Sequence, residues 1–376
     1  MKKIMFMIES MVVGGAEKAL INIANNLDKT KYDVTVLSMF KYSVYDGYDY
    51  KFSEMFNKDV KVKYLIDNSN KTKYKLFNYL YNKIPKTLIY KYFIKEKYDI
   101  EVAFYEGFPT IFLSNSTNKK SKKIAWLHTD SKNAFGHLDE NGIKEIKKIY
   151  SKYDSIVGVS KSVTNSFKNI VGNEEKLSTR YNIVETKNII DKSKEQIHMS
   201  LINKKFKMIT VGRLIPIKGY DRLLECTKRL SDEGFNFELW IVGDGSEKSK
   251  LQKYIEENNL TEVVKLLGFK DNPYKYLNHC DLFVCSSIAE GFSTVATEAL
   301  VLGKPIVTTN CSGMEELFGK NECGIITENS TQELYKGLKT VLENKELFNH
   351  FREEAIKRSK FFSLENGLKE MEGVLE

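Results

Sequence analysis

The chain has 376 residues but only 5 prolines and 5 cysteines, and no apolar run approaches a bilayer span. A transmembrane helix needs about 20 consecutive apolar residues. The opening MKKIMFMIESMVVGG is interrupted by Glu9 too early for a secretory core. These absences predict a cytoplasmic protein. Cys226, Cys280, Cys285, Cys311 and Cys323 form no C-x-x-C pair, and most lie in or beside apolar runs. That excludes a zinc ribbon and a disulfide framework and predicts buried, reduced thiols. G-x-G-x-x-G and G-K-[ST] are also missing, which counts against dinucleotide binding and P-loop chemistry.

What is present is the composition of an ordered globular protein, 42% hydrophobic and 29% charged, long enough for two domains. The net charge of +8 is unevenly spread. Residues 1–190 hold 32 Lys and Arg against 21 Asp and Glu, whereas the remainder holds 26 against 29. Short apolar, β-branched runs alternate with longer amphipathic stretches, the pattern of βα units that build a parallel sheet. Strands are predicted at 3–8, 33–38, 61–65, 100–104, 123–127 and 155–159, then at 207–212, 238–243, 264–268, 282–286, 305–309 and 324–327. Residues 186–205 lose the apolar runs and read as a linker between an N-terminal Rossmann-like domain (1–185) and a C-terminal one (206–376). Past about residue 345 the chain reads as helix, and leaves open whether this tail caps the second domain or crosses back to the first.

Ligands of open parallel sheets bind beyond the carboxyl ends of the strands. Several unusual residues fall there. Gly14 and Gly15 follow the first strand, where absent Cβ atoms would let backbone approach a phosphate or sugar; a tight strand-to-helix turn explains them equally well. Arg213 and Lys218, in VGRLIPIKG, place two cations on one strand-to-helix loop, suited to a diphosphate or simply solvated. In SSIAEGFSTVATEAL, Glu290 and Gly291 occupy a loop, Ser293 or Thr294 can cap the next helix, and Glu298 falls one turn in. Glu298 either complements the helix dipole or accepts hydrogen bonds from ribose hydroxyls. His128 in IAWLHTDS and Glu106 in FYEGFPT sit at strand ends of the basic half, placed to meet a sugar or acceptor hydroxyl or to move a proton.

Together these residues resemble the retaining GT-B-fold glycosyltransferases of family four. Three stretches carry the resemblance: VVGGAEKALINIA, VGRLIPIKG and the Glu290–Glu298 pair, which is similar to that family's E-x7-E motif. The resemblance implies an α/β GT-B architecture, two Rossmann-like domains facing each other across a cleft. It implies a nucleotide-sugar donor held by the C-terminal domain and an acceptor held by the N-terminal one. By position, Arg213 and Lys218 would hold the donor diphosphate, Glu298 the ribose and Glu290 the sugar hydroxyls. Gly291 and the amides of Phe292, Ser293 and Thr294 would serve the sugar or phosphate, and Gly268 and Phe269 would line the base. Gly14, Gly15, Glu106 and His128 would lie toward the acceptor, with Gly15 also near the phosphate and His128 against the transferred sugar. Family members often have proline where Ser293 stands. No metal or other cofactor is expected, and no D-x-D occupies a persuasive strand end. The implied chemistry is a front-face transfer, the departing diphosphate taking the acceptor proton while Arg213 and Lys218 stabilise its charge and Glu106 orients the acceptor.

Residues 71–98 combine eight Lys with six Tyr and several large aliphatics. This reads as an interfacial surface that meets the inner face of the cell membrane, or as an ordinary amphipathic hairpin broken at Pro85. No nucleic-acid-reading motif accompanies the basicity. The function expected is therefore a cytoplasmic, membrane-associated hexosyl- or N-acetylhexosaminyltransferase moving a sugar, from UDP rather than GDP, to a lipid-linked surface polysaccharide. The alternatives are a UDP-N-acetylglucosamine 2-epimerase, which would need no acceptor, and a non-catalytic sugar-nucleotide-binding partner of an assembly complex.

Overall fold

A computed structural model of the chain describes residues 1–10, 14–42 and 52–376. These form two compact units, one of Met1–Ile183 with Glu365–Glu376, the other of Val184–Leu364.

The first unit is built on β1 (Lys2–Ser10), β2 (Tyr32–Phe40), β3 (Lys61–Ile66), β4 (Ile100–Ala103), β5 (Lys122–Leu127), β6 (Ser155–Gly158) and β7 (Leu177–Thr179). All pairings are parallel, in the order β3-β2-β1-β4-β5-β6-β7. The second holds β8 (Phe206–Val211), β9 (Phe237–Val242), β10 (Val264–Gly268), β11 (Leu282–Cys285), β12 (Ile306–Thr309) and β13 (Gly324–Thr327), also parallel, in the order β10-β9-β8-β11-β12-β13. The continuous apolar runs have a direct cause. A parallel strand covered on both faces exposes neither side, and every residue of β9 is buried. In each sheet the chain direction of growth reverses once, between β1 and β4 and between β8 and β11, opening a crevice at the strand ends.

Each of the twelve strands read from the sequence is present, with ends that differ by no more than two residues. β7 is additional; its three residues Leu177, Ser178 and Thr179 carry too little apolar signal to be read. The expected linker 186–205 is not structureless. Thr186–Ser193 is a helix of the second unit, with Ile189 and Ser193 buried and Asn272 Nδ2 donating to the Lys192 carbonyl at 2.9 Å. One apolar face on an otherwise polar helix suffices for docking, and a run-based reading passes over it.

The tail helix Leu364–Leu375 packs with the first unit, burying Met371, Val374 and Leu375. Arg180 Nε donates to the Glu370 carbonyl at 2.9 Å, and Lys31 pairs with Glu372 at 3.1 Å. The five cysteines are free and buried, and burial pushes the thiols of Cys226, Cys311 and Cys323 up to about 12. No helix among the described residues is long and apolar enough to cross a membrane.

Candidate functional site

At the strand ends of the second unit, three loops are held together by backbone. The loop after β8 runs through Arg213 to a single turn at Pro216–Lys218 and then to Gly219, whose φ of 62° suits glycine. A Cβ on Gly219 would stand 2.3 Å from the Ser286 carbonyl oxygen. That close approach lets the loop lie against the segment following β11. Ser286 Oγ donates to the Lys218 carbonyl at 2.9 Å, and Ile288 N to the Ile217 carbonyl at 2.8 Å. Arg222 closes the junction, donating from Nε to the Ser286 carbonyl at 2.7 Å and from Nη2 to that of Ser287 at 2.5 Å. On the other side, Leu214 N donates to the Asp244 carbonyl at 2.8 Å.

This clasp brings together two of the expected site residues 72 positions apart. Lys218 Nζ lies 2.6 Å from Glu290 Oε1, and Ser287 Oγ donates to the same oxygen at 2.6 Å. Burial opposes the Lys218 charge, but the Glu290 carboxylate outweighs it and lifts the lysine above its ordinary pKa. Arg213, half-buried, is close enough for its charge to oppose that of Lys218. The loop thus offers an anion two cations, one already neutralised by a carboxylate that can itself accept hydroxyl protons.

The chain then turns into the helix Thr294–Val301. Ser293 is its N-cap, accepting from Ala296 N at 3.3 Å, and Thr297 Oγ1 returns a bond to the Ser293 carbonyl at 2.9 Å. Serine in place of proline therefore provides the cap itself. Phe292, Ser293 and Thr294 are buried. Gly313, at φ 83°, passes beneath the loop, and a Cβ there would meet the Gly291 carbonyl oxygen at 2.8 Å. Glu298 is only 2% exposed and accepts from Tyr274 Oη at 3.1 Å. Burial, then the adjacent Glu298 carboxylate, raises the Tyr274 pKa. Tyr274 and Gly313 are not singled out in the sequence, because each acts through a partner distant along the chain. Gly268 ends β10 at φ 71°, and Phe269 beyond it is 39% exposed.

In the first unit, Gly14 is the extended N-cap of the helix Gly15–Asn26, and a Cβ there would stand 2.3 Å from Glu17 Oε2. Val12 and Val13 of the same motif lie outside the described residues. Glu106 and His128 are brought together, though not side chain to side chain. Glu106 Oε1 accepts from the backbone amides of His128 and Thr129, each at 2.7 Å. Among the described residues its buried Oε2 has no hydrogen-bond partner, and burial pushes the carboxyl up to about 7 despite the two amides. The His128 ring lies 4.9 Å from that of Phe104 and stacks at 5.7 Å on Tyr105. Its Nε2 is also buried, with no hydrogen-bond partner among the described residues, and burial lowers the imidazole to about 3. The imidazole is therefore neutral at physiological pH, a hydrogen-bonding group rather than a cation. Glu106 lies beneath the loop that carries His128 instead of reaching out from it.

Residues 191–358 match the family model for glycosyl transferases group 1, a span that contains Arg213, Lys218, Glu290 and Glu298. That span lies within the second unit and covers 168 of the 376 residues. Among similar proteins is N-acetylgalactosamine-N,N'-diacetylbacillosaminyl-diphospho-undecaprenol 4-alpha-N-acetylgalactosaminyltransferase of Campylobacter jejuni, 36% identical over 220 residues, which are 58% of each chain. The matched region thus spans little more than half of that relative. An uncharacterized glycosyltransferase of Haemophilus influenzae is 28% identical over the full length of both chains. Among solved structures, Anabaena HepE in complex with UDP and glucose superimposes with a TM-score of 0.78 at 20% identity, over 100% of this chain and 99% of HepE. The two parallel-sheet α/β units are those of the GT-B fold.

Proposed function

We propose that the protein is a retaining glycosyltransferase that moves a hexosyl or N-acetylhexosaminyl unit from a UDP-sugar to a lipid-linked glycan at the inner face of the membrane. The observation that carries this reading is the assembly of Arg213, the Lys218–Glu290 pair and the capped helix bearing Glu298 at one set of strand ends, inside the group 1 segment. A UDP donor is favoured by the UDP complex of HepE, and a lipid-diphosphate acceptor by the activity of the Campylobacter relative.

In this reading Arg213 and Lys218 hold the diphosphate and neutralise the charge that grows on it as the glycosidic bond breaks. Lys218 exchanges part of its contact with Glu290 for phosphate oxygen, which frees Glu290 to accept from sugar hydroxyls. The amides of Phe292, Ser293 and Thr294 face the sugar or phosphate, Gly268 and Phe269 the base, and Glu298, fixed by Tyr274, the ribose. The departing diphosphate takes the acceptor proton on the same face, so no enzyme nucleophile is needed. His128 contacts the transferred sugar as a neutral imidazole, and Glu106 sets the position of its backbone. Gly14 and Gly15 allow close approach of acceptor and phosphate. With two side-chain cations committed to the leaving group, the transfer proceeds without a resident metal.

The test is turnover of a panel of UDP-sugars with undecaprenyl-diphosphate-linked saccharides, with and without chelator, the product anomer being read by NMR. Transfer with retained configuration that survives chelation is expected. Conversion of UDP-N-acetylglucosamine without acceptor would instead identify an epimerase.

A further inference from the structure

The first unit carries a helical hairpin that the donor chemistry does not use. Its helices are Lys71–Lys83 and Lys86–Phe93, separated at Pro85. One side is core. Phe77 is 7% exposed and packs edge-on to Phe40 and Phe93 at ring distances of 6.4 and 6.0 Å, while Tyr81 lies 4.4 Å from Phe108. Tyr90 is buried and donates to Glu101 at 2.7 Å. Lys86 is drawn into the hairpin, its ammonium 3.8 Å from the Tyr81 ring centre and donating to the Tyr81 carbonyl.

The other side has a composition that water does not favour. Leu76, Tyr79 and Leu80 follow a helical i, i+3, i+4 spacing and are 56%, 63% and 38% exposed; Leu88 and Tyr92, four apart, are 57% and 71% exposed. These are five of the fifteen exposed large apolar side chains among the described residues, gathered within 17 positions. The exposed Lys75, Lys83, Lys91 and Lys95 are interspersed with them. No acidic residue occurs anywhere from 68 to 95, against seven lysines. Some lysines elsewhere on the surface are paired with carboxylates, as at Lys61–Asp33 and Lys63–Glu96. The helix Lys71–Lys83 has no acid in its first turn to offset its dipole.

We propose that this outer face docks on a bilayer rich in anionic lipid, its lysines at the headgroup phosphates and Leu76, Tyr79, Leu80, Leu88 and Tyr92 in the headgroup–acyl boundary. The charge pattern selects this occupant. Anionic headgroups complement an all-cationic, acid-free surface, and short amphipathic helices lie in the interface rather than span it. The inference does not depend on the transferase reading, because binding is measured without turnover.

The experiment is co-flotation of the full chain with phosphatidylglycerol–phosphatidylcholine vesicles and with phosphatidylcholine vesicles alone. Binding to the anionic vesicles is expected, weakened by at least about 100-fold in K75E/K83E/K91E, since each lysine at an anionic surface contributes about five-fold. L76Q/Y79Q/L88Q/Y92Q should lose roughly ten-fold or more while unfolding like the parent. Should that variant not fold, L88Q and Y92Q singly carry the same test, each with a several-fold loss. Equal binding to both vesicle types, no binding, or binding indifferent to the apolar substitutions would overturn the proposal. So would a dimer in sedimentation that the apolar variant dissolves, which would assign the face to a second copy.

Discussion

The carboxyl of Glu106 ties stability to pH in the direction opposite to most acidic residues. Its folded-state pKa stands at about 7 against an ordinary 4.5, because burial disfavours the charge more than the two amides favour it. The folded state then holds a proton that the unfolded chain has already released. The contribution is fully present below pH 4.5 and is lost as pH rises through 7. At about 1.4 kcal/mol per pKa unit, the loss between pH 5 and pH 8 is about 2–3 kcal/mol. Glu106→Gln keeps an oxygen for the amides of His128 and Thr129 but cannot ionise. The difference in stability between variant and parent should therefore swing in the variant's favour by about 2–3 kcal/mol from pH 5 to pH 8, while all other titrating groups cancel. The chain has a convenient reporter. Trp126, in β5 two residues from His128, is buried in the first unit, and Trp240 in the second. In a Trp240→Phe background, urea unfolding followed by tryptophan fluorescence reports the first unit. Glu106→Ala should lose about 2–4 kcal/mol at both pH values, having left two buried amides unpaired. Parallel pH dependence of parent and Gln variant would refute the reasoning, and would mean that Glu106 titrates as a solvated carboxyl.

In the second unit, Lys218→Met and Glu290→Gln should each destabilise by about 1–3 kcal/mol, and the double variant by less than their sum, measured as a double-mutant cycle in urea. Gly219→Ala should cost about 1–3 kcal/mol and displace the Lys218 loop, because its Cβ collides with the Ser286 carbonyl at a positive φ; calorimetry and a crystal structure of the variant would show both. Tyr274→Phe removes the phenol that donates to Glu298 and should cost about 1–3 kcal/mol together with nucleotide affinity, whereas an unchanged melting temperature and affinity would deny the residue a positioning role.

How far the sequence anticipates this structure follows from the kind of signal each feature carries. Strands such as β9 and β11 are legible because parallel strands buried on both faces must be apolar throughout. β7 and the helix Thr186–Ser193 are not, one being three residues long and the other having a single apolar face. Site residues were legible through their position after strands, which singles out Arg213, Lys218, Glu290, Glu106 and His128 one by one. Their pairings were not. Lys218 meets Glu290 because β8 and β11 are sheet neighbours, and Glu106 serves the His128 backbone because β4 and β5 are; both relations belong to strand order. Tyr274 acts through a partner 24 residues away and has no local mark at all.

The donor site is the central claim, and titration calorimetry with UDP tests it most directly. UDP should bind the folded protein more tightly than GDP or ADP, and Arg213→Ala and Glu298→Ala should each weaken it about ten-fold or more with the fold intact. A folded protein that takes up none of these nucleotides, or binds UDP with both substitutions silent, would contradict the account.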